Sequence, residues 1–156
     1  MISEIWSGGQ SGVDRAAHDA ALDAGVPIRG WVPHGRWAED GPIPDRYAGL
    51  VETESDDVAV RTEWNVSDAD ATLILTMGRP SGGTELTRRL AVKYGRPALV
   101  IDLEIVTVPE AVALVSTWCA ALSSLLELNA AGPRASKSPE IYDSARQVVA
   151  GVLAPT

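Results

Sequence analysis

A glycine-rich stretch at positions 7–15, SGGQSGVDR, joins a predicted strand to a predicted helix. Residues 2–6 alternate apolar and polar side chains, as in a strand, and small apolar residues recur at helical spacing from Val13 to Ala24. Glycines let the backbone approach a ligand, and the first N–H groups of a helix lack partners within it. A phosphate satisfies those groups and the positive end of the helix dipole. The glycine spacing fits neither the P-loop nor the dinucleotide fingerprint, so a ligand site and a plain tight turn remain equal alternatives here.

Two further glycine-rich turns also follow predicted strands. The apolar strand at 71–76 leads into MGRPSGGT, and a strand at 125–130 leads into NAAGPRASK. Turns that follow parallel strands lie together at the carboxyl edge of a sheet, where ligands bind. The three turns therefore predict one phosphate site. Its predicted donors are the backbone N–H groups of Gly9–Gly12 and Gly82–Thr84, the hydroxyls of Ser11 and Thr84, and the cations Arg134 and Lys137.

The remaining elements alternate in the same way. Apolar strands are predicted at 27–32 and 97–103, the latter buried, and Ser55 is the predicted N-cap of a helix that runs to about Val66. The pattern predicts an α/β fold, a Rossmann-like doubly wound arrangement with a mainly parallel sheet of about five or more strands and helices on both faces. We expect a single ligand-binding domain over 1–156.

Composition excludes several classes of protein. The chain has 156 residues, 46% of them hydrophobic, and a net charge of −8, so we expect a globular domain and no nucleic-acid partner. Its single cysteine, Cys119, permits no intrachain disulfide, and we expect a core position and a reducing, cytoplasmic location. We also expect no signal peptide, no membrane span and no structural metal, because two histidines and one cysteine cannot form a usual zinc site. His18 is predicted at the surface, and His34 is a candidate functional residue.

Six segments, in this order along nearly the whole chain, resemble the family of "putative molybdenum carrier" proteins. That family is a branch of the Rossmann-like SLOG superfamily, which also contains LOG-type phosphoribohydrolases and DprA-type proteins. The segments are SGGQSGVDR at 7–15, GRWAEDG at 35–41, RTEWN at 61–65, DADATL at 68–73, SGGT at 81–84 and NAAGPR at 129–134.

The resemblance implies binding of molybdenum cofactor (molybdopterin) or a related phosphate-bearing, nucleotide-like ligand, and a homo-oligomer, a dimer or a tetramer. Residue types alone leave several roles open: Asp14 suits either the helix dipole or the ligand, and Arg61 and Asn65 share a helix face suited either to the ligand or to salt bridges. The predicted ligand-binding residues are Gly8, Gly9, Gln10, Ser11, Gly12, Asp14, Arg15, Arg36, Arg61, Asn65, Gly82, Gly83, Thr84, Arg134 and Lys137.

Two alternatives to a carrier stay open at this stage, a LOG-like nucleoside monophosphate phosphoribohydrolase (an N-glycosidase) and a nucleotide sensor. LOG-type enzymes carry a Pro-Gly-Gly-x-Gly-Thr motif with a catalytic glutamate at a fixed offset, whereas this chain has PSGGTE and places Glu85 directly after Thr84. Glu85 and Asp40 are the candidate catalytic carboxylates. Glu39 and Asp40 are adjacent, so we expect them to point in opposite directions and to have separate roles in catalysis, metal binding or loop anchoring.

Overall fold

The computed structural model describes residues 1–155, which contain eight strands and five helices. The strands are β1 (Ile2–Trp6), β2 (Ile28–Val32), β3 (Trp37–Ala38), β4 (Gly41–Pro42), β5 (Leu50–Glu52), β6 (Ala71–Thr76), β7 (Ala98–Asp102) and β8 (Leu126–Ala131). The helices are α1 (Val13–Asp23), α2 (Val58–Asp68), α3 (Gly82–Lys93), α4 (Val108–Leu122) and α5 (Ile141–Leu153).

Six strands form one parallel sheet in the order β5-β2-β1-β8-β6-β7, and β3 and β4 form a separate antiparallel hairpin. The last strand of the chain, β8, therefore lies between β1 and β6 at the centre of the sheet. This arrangement confirms the predicted α/β Rossmann-like fold. It also adds β5, a short strand inside the segment at 33–53 that the sequence suggests is a loop.

The helices pack in two groups. Helix α5 packs against both α1 and α4, whereas α2 packs against α3. Strand β2 is contacted by α1 from one group and by α2 from the other, so the groups cover opposite faces of the sheet. Strand β6, which lies between β8 and β7, is buried along its whole length, as its apolar sequence predicts.

The prediction of a buried strand at 97–103 is wrong for part of its length. Strand β7 is the last strand of the sheet, and Ala98 and Val100 are exposed while Ile101 is buried. No further strand pairs with its outer side among residues 1–155. A run of apolar residues shows that a strand is present but does not show whether it is central or at an edge.

Two local predictions are also wrong. Helix α2 is capped by Asp57, whose carboxylate accepts a hydrogen bond from the Ala59 N–H at 2.9 Å, and the hydroxyl of Ser55 instead accepts from the Asp57 N–H at 3.0 Å. His18 is fully buried rather than at the surface, because its ring lies against β2, with Nε2 3.1 Å from the Arg29 carbonyl oxygen, and near the Tyr47 ring. Burial lowers the pKa of His18 to about 4.

Cys119 is buried in the core, as predicted, and burial raises its pKa to about 11. Within the described residues, no helix has the length and apolar character needed to cross a bilayer.

Candidate functional site

A cavity of about 490 Å³ opens at the carboxyl end of the sheet, between the N-terminal ends of α2 and α3. This volume lies within the usual range for small-molecule sites. The wall combines cationic, anionic, hydroxyl and apolar groups. It is lined by Gln10, Asp14, Trp37, Asp56, Asp57, Val58, Ala59, Arg61, Thr62, Ser81, Gly83, Thr84, Leu86, Thr87, Ala131, Gly132, Arg134 and Lys137.

The loop between β1 and α1 uses its own backbone donors. The N–H of Gly9 donates to the Ser7 hydroxyl at 3.2 Å, and that of Gln10 donates to the Asp14 carboxylate at 3.2 Å. The N–H of Ser11 donates to the side-chain oxygen of Gln10 at 3.0 Å. These groups therefore already have acceptors within the chain, and the predicted phosphate cradle at Gly9–Gly12 is not formed by them.

The glycines of this loop are required by close packing. A methyl group on Gly8 would lie 2.2 Å from a terminal nitrogen of Arg61, and one on Gly12 would lie 2.4 Å from the carbonyl oxygen of Pro133. Gly9 and Gly12 have φ angles of 73° and 81°, which favour glycine. The loop thus brings α1, α2 and the turn after β8 close together, which places Arg61 beside the cavity.

Asp14 and Arg61 form the inner wall of the cavity. A terminal guanidinium nitrogen of Arg61 lies 3.5 Å from the Asp14 carboxylate, and the two side chains are 15% and 6% exposed. Burial raises the pKa of Asp14, and the nearby Arg61 charge opposes that rise. The guanidinium of Arg61 donates no hydrogen bond to residues 1–155, and its buried Nε has no partner there. Asp14 is the anion paired with this charge, and a buried guanidinium that lacks hydrogen-bond partners at its Nε is costly.

The second glycine turn differs from the first because its donors stay open. Ser81 is the N-cap of α3 and makes no side-chain capping bond. Its carbonyl accepts from the N–H groups of Thr84 and Glu85, whereas those of Gly82 and Gly83 donate to no acceptor among residues 1–155. The positive end of the α3 dipole therefore has two open donors, and Gly83 is the one that lines the cavity.

The third turn supplies two cations to the same wall. Lys137 and Arg134 both line the cavity, and a methyl group on Gly82 would lie 2.8 Å from the Lys137 ammonium nitrogen. The Nε of Arg134 lies 3.4 Å from the Glu39 carboxylate. Arg134 and Lys137 thus stand beside the start of α3, as the sequence predicts.

Glu39 and Asp40 anchor the β3–β4 hairpin through separate contacts. Glu39 accepts hydrogen bonds from the hydroxyls of Ser11 and Ser136 at 2.5 and 2.6 Å, and these bonds lower its pKa. Asp40 pairs with the Arg15 guanidinium at 3.0 Å. Of the roles left open for these carboxylates, the structure shows loop anchoring.

Two arginines predicted at the ligand lie outside the cavity wall. Arg15 binds Asp40 and also donates to the Gly9 carbonyl, at 3.2 Å from its Nε. Arg36 donates to the carbonyl oxygens of Ile43, Pro44 and Tyr47. Both guanidinium groups are therefore used to hold loops, which corrects their prediction as ligand contacts.

Other predicted residues lie behind the wall or away from it. Asn65 donates to and accepts from the backbone of Trp31, and together with Gly8 it lines a much smaller pocket beneath Arg61. His34 is exposed and is absent from both linings. Glu85 pairs with Arg88 at 2.6 Å, and hydrogen bonds from Arg88 lower its pKa to about 2. Neither Glu85 nor Asp40 lines the cavity.

Eleven lining residues are not among the predicted ligand contacts, and Thr87, Asp56 and Trp37 are three examples. Thr87 lies three positions after Thr84 on α3, so helical spacing was a usable signal for it. Asp56 directly precedes Asp57, the N-cap of α2. Its place in the wall follows once α2 is taken to start after Asp57 rather than after Ser55. Trp37 is on β3, and no local pattern distinguishes it from the other tryptophans of the chain.

Comparison with known proteins gives two matches. Residues 5–153 match the model of the circularly permutated YpsA SLOG family. The fold is similar to the crystal structure of a "putative molybdenum carrier protein" from Syntrophus aciditrophicus SB, with a TM-score of 0.94 and 44% sequence identity, over 98% of this chain and 96% of that one. No curated protein matches the chain.

Proposed function

This chain belongs to the circularly permutated YpsA SLOG family, and from that membership and the geometry of its cavity we propose that it binds a small phosphate-bearing ligand. The ligand class is molybdenum cofactor or a related nucleotide, carried as cargo. The observation that carries the proposal is Arg61, a largely buried guanidinium at the cavity wall that donates no hydrogen bond to residues 1–155.

Arg61 is suited to an anion rather than to the protein. Its ion pair with Asp14 is long, at 3.5 Å, and Asp14 also accepts the Gln10 N–H, so the carboxylate is shared. A phosphate oxygen bound to the free edge of the guanidinium would supply the charge-assisted hydrogen bonds that the apo site lacks.

The start of α3 provides a second set of donors. Gly83, whose N–H is open, and the cations Arg134 and Lys137 line the same cavity as Arg61, and the open N–H of Gly82 belongs to the residue that directly precedes Gly83. This is the combination of oriented amides and positive charge that binds phosphate in other proteins. It makes a phosphate the best-matched group for this end of the cavity.

Molybdenum cofactor fits this donor set through its phosphate, and the name of the Syntrophus aciditrophicus relative supports that choice of ligand. Arg61, Arg134 and Lys137 would hold the phosphate. The one cysteine is buried and does not line the cavity, and residues 1–155 contain no cluster of three potential metal ligands. The protein's contribution would therefore be to bind the organic part of the cofactor.

The positions of Glu85 and Asp40 do not suit catalysis by these two carboxylates. Glu85 is paired with Arg88 and Arg89, and Asp40 with Arg15, all outside the wall of the cavity. A general acid or base must reach the proton it transfers. The phosphoribohydrolase alternative therefore receives no support from the two carboxylates on which it depends.

Self-association is a further part of the proposal. Helix α4 exposes Leu114 and Leu122, and no charged residue occurs from Ala111 to Leu126. With a net charge of −8, two copies repel least where they meet through an uncharged surface. We therefore place a homo-oligomer contact on α4, and sedimentation of Leu114→Glu, which is expected to yield monomers, tests it.

The central experiment measures binding of ribose 5-phosphate and nucleoside monophosphates by isothermal titration calorimetry. Arg61→Gln and Lys137→Gln are expected to weaken binding at least tenfold, because each removes a charged donor. Arg88→Gln is the matched control, since Arg88 is a surface arginine of α3 outside the wall. Equal affinities in all four proteins would contradict the proposal.

Native mass spectrometry of gently purified protein, with molybdenum measured on the same sample, distinguishes the two ligands. A molybdopterin adduct with molybdenum identifies a cofactor carrier. A nucleotide adduct, or an empty protein that fills only when nucleotides are added, identifies a nucleotide-binding protein instead.

A further inference from the structure

Trp37 is an unusual tryptophan because it lines the cavity and is 52% exposed. The other aromatic side chains near this end have protein partners. Trp31 and Trp64 contact each other edge to face, with ring centres 4.8 Å apart, and the indole N–H of Trp6 donates to Glu4. A large apolar ring that is left open in a ligand-sized cavity is available for contact with a ligand.

The position of Trp37 is set by the alternation of its strand. The next residue, Ala38, is 1% exposed and packs in the core, so Trp37 faces the opposite way. Its partner across the hairpin is Pro42, which is also exposed. The indole therefore has no route into the core without moving Ala38 out of it.

The hairpin that carries Trp37 is held at several points. Glu39 accepts hydrogen bonds from Ser11 and Ser136, and Asp40 pairs with Arg15. At the base, the backbone of Arg36 accepts from the Ile43 N–H at 2.8 Å. These contacts fix the backbone that carries the indole before any ligand arrives, so stacking on it needs no ordering of the hairpin.

The phosphate-binding groups and Trp37 belong to one cavity, whose wall also includes the apolar side chains of Val58 and Leu86. We propose that Trp37 is the stacking platform for a planar heteroaromatic ring of the ligand, whose phosphate is bound at Arg61 and the start of α3. This inference rests on the proposed function and narrows it, because it excludes ring-free sugar phosphates as the preferred ligand.

A nucleobase and a pterin are both planar heteroaromatic rings of the kind proposed to stack on Trp37. Stacking on an aromatic side chain tolerates either, since both have an extended π face. The experiment therefore titrates AMP, GMP, CMP, UMP and 6-hydroxymethylpterin phosphate beside ribose 5-phosphate, which is the nucleotide without its ring. The tightest binder identifies the source of the ring.

We expect the best ring-bearing probe to bind the wild-type protein at least tenfold more tightly than ribose 5-phosphate. Trp37→Ala should remove about tenfold of that affinity and leave ribose 5-phosphate binding unchanged, and Trp37→Phe should recover most of the loss. Trp64→Ala is the matched control, because Trp64 is 40% exposed but lies outside the cavity wall. It should bind both kinds of probe normally.

The outcomes separate this inference from the proposed function. If ribose 5-phosphate binds but no ring adds affinity, or if Trp37→Ala weakens both kinds of probe equally or neither, the stacking platform is wrong and the phosphate site stands. If no phosphate compound binds, the proposed function is wrong and the platform fails with it.

Discussion

Two of the glycine-rich strand-to-helix units of this protein, β1–α1 and β6–α3, have similar sequences and different uses. In the first, the N–H groups of Gly9, Gln10 and Ser11 donate to acceptors of the same loop and helix. In the second, the N–H groups of Gly82 and Gly83 have no acceptor among residues 1–155. Only the second presents an open helix end to the cavity.

The difference shows that a glycine-rich turn after a parallel strand does not by itself identify a phosphate site. The first loop contributes to the cavity indirectly, because its glycines leave room for Arg61 and for the turn after β8. What decides between the two uses is whether nearby side chains already satisfy the backbone donors. Asp14 does so in the first unit, and no side chain does so in the second.

The largest expected effect is a loss of stability caused by a substitution in the first unit, and a matching substitution in the second unit should cause no such loss. Gly12→Ala should destabilise the protein by about 3 kcal/mol, because its φ of 81° and the Pro133 carbonyl at 2.4 Å both exclude a side chain. Gly83→Ala should be neutral or stabilise by up to about 1 kcal/mol, since a methyl group there meets nothing within 4 Å and alanine favours a helix. Urea unfolding measures the free energy of unfolding of both variants. Equal losses of stability would contradict the difference between the two units.

The second prediction concerns the buried helix of the first unit. His18 has a folded pKa of about 4 and an ordinary value of 6.5, so between these pH values the unfolded chain binds a proton that the folded chain does not. Stability should therefore rise with pH across this window and lose about 2 kcal/mol from pH 7 to pH 5. His18→Gln should flatten that part of the curve of unfolding free energy against pH. If His18→Gln leaves the slope of that curve unchanged, His18 is not the group that causes the pH dependence.

The third prediction tests the indirect role of the first loop. In Gly8→Ala the new methyl group would occupy the position of the Arg61 guanidinium, which can move only by leaving its place at the cavity wall. We expect about a tenfold loss of affinity for ribose 5-phosphate, corresponding to the loss of one charged hydrogen bond. Gly35→Ala is the control outside the cavity, although its φ of 84° also strains the backbone. Equal affinity in Gly8→Ala and the wild type would show that Arg61 does not bind the phosphate.

The smallest effect is expected in the second unit, at Glu85. This carboxylate lies on α3 but pairs with Arg88 and Arg89 rather than facing the cavity. Glu85→Gln should leave affinity for nucleoside monophosphates within twofold of the wild type in calorimetry. Release of free base by the wild type, abolished in this variant, would instead support the N-glycosidase alternative.

The sequence predicts the fold well because β6 is a continuous apolar run and α5 repeats apolar residues at helical spacing. It predicts the site less completely. Arg15, Arg36 and Arg61 are chemically equivalent in the sequence, and only the folded chain shows that Asp40 and a set of carbonyl oxygens hold the first two. The prediction of a surface position for His18 is wrong because helical spacing does not reveal that β2 and Tyr47 cover its side of α1.

The central place of β8 has a consequence for synthesis of the protein. Strands β1 and β6 have no direct pairing and are joined only through β8, which begins at Leu126. A ribosome therefore releases most of the chain before the sheet can become continuous, and the nascent chain must keep two strand edges unpaired until then. Chains truncated before β8 would lack the strand that pairs with both β1 and β6. They would also lack Arg134 and Lys137, two residues of the cavity wall. They should be substrates for chaperones and proteases rather than smaller versions of the domain.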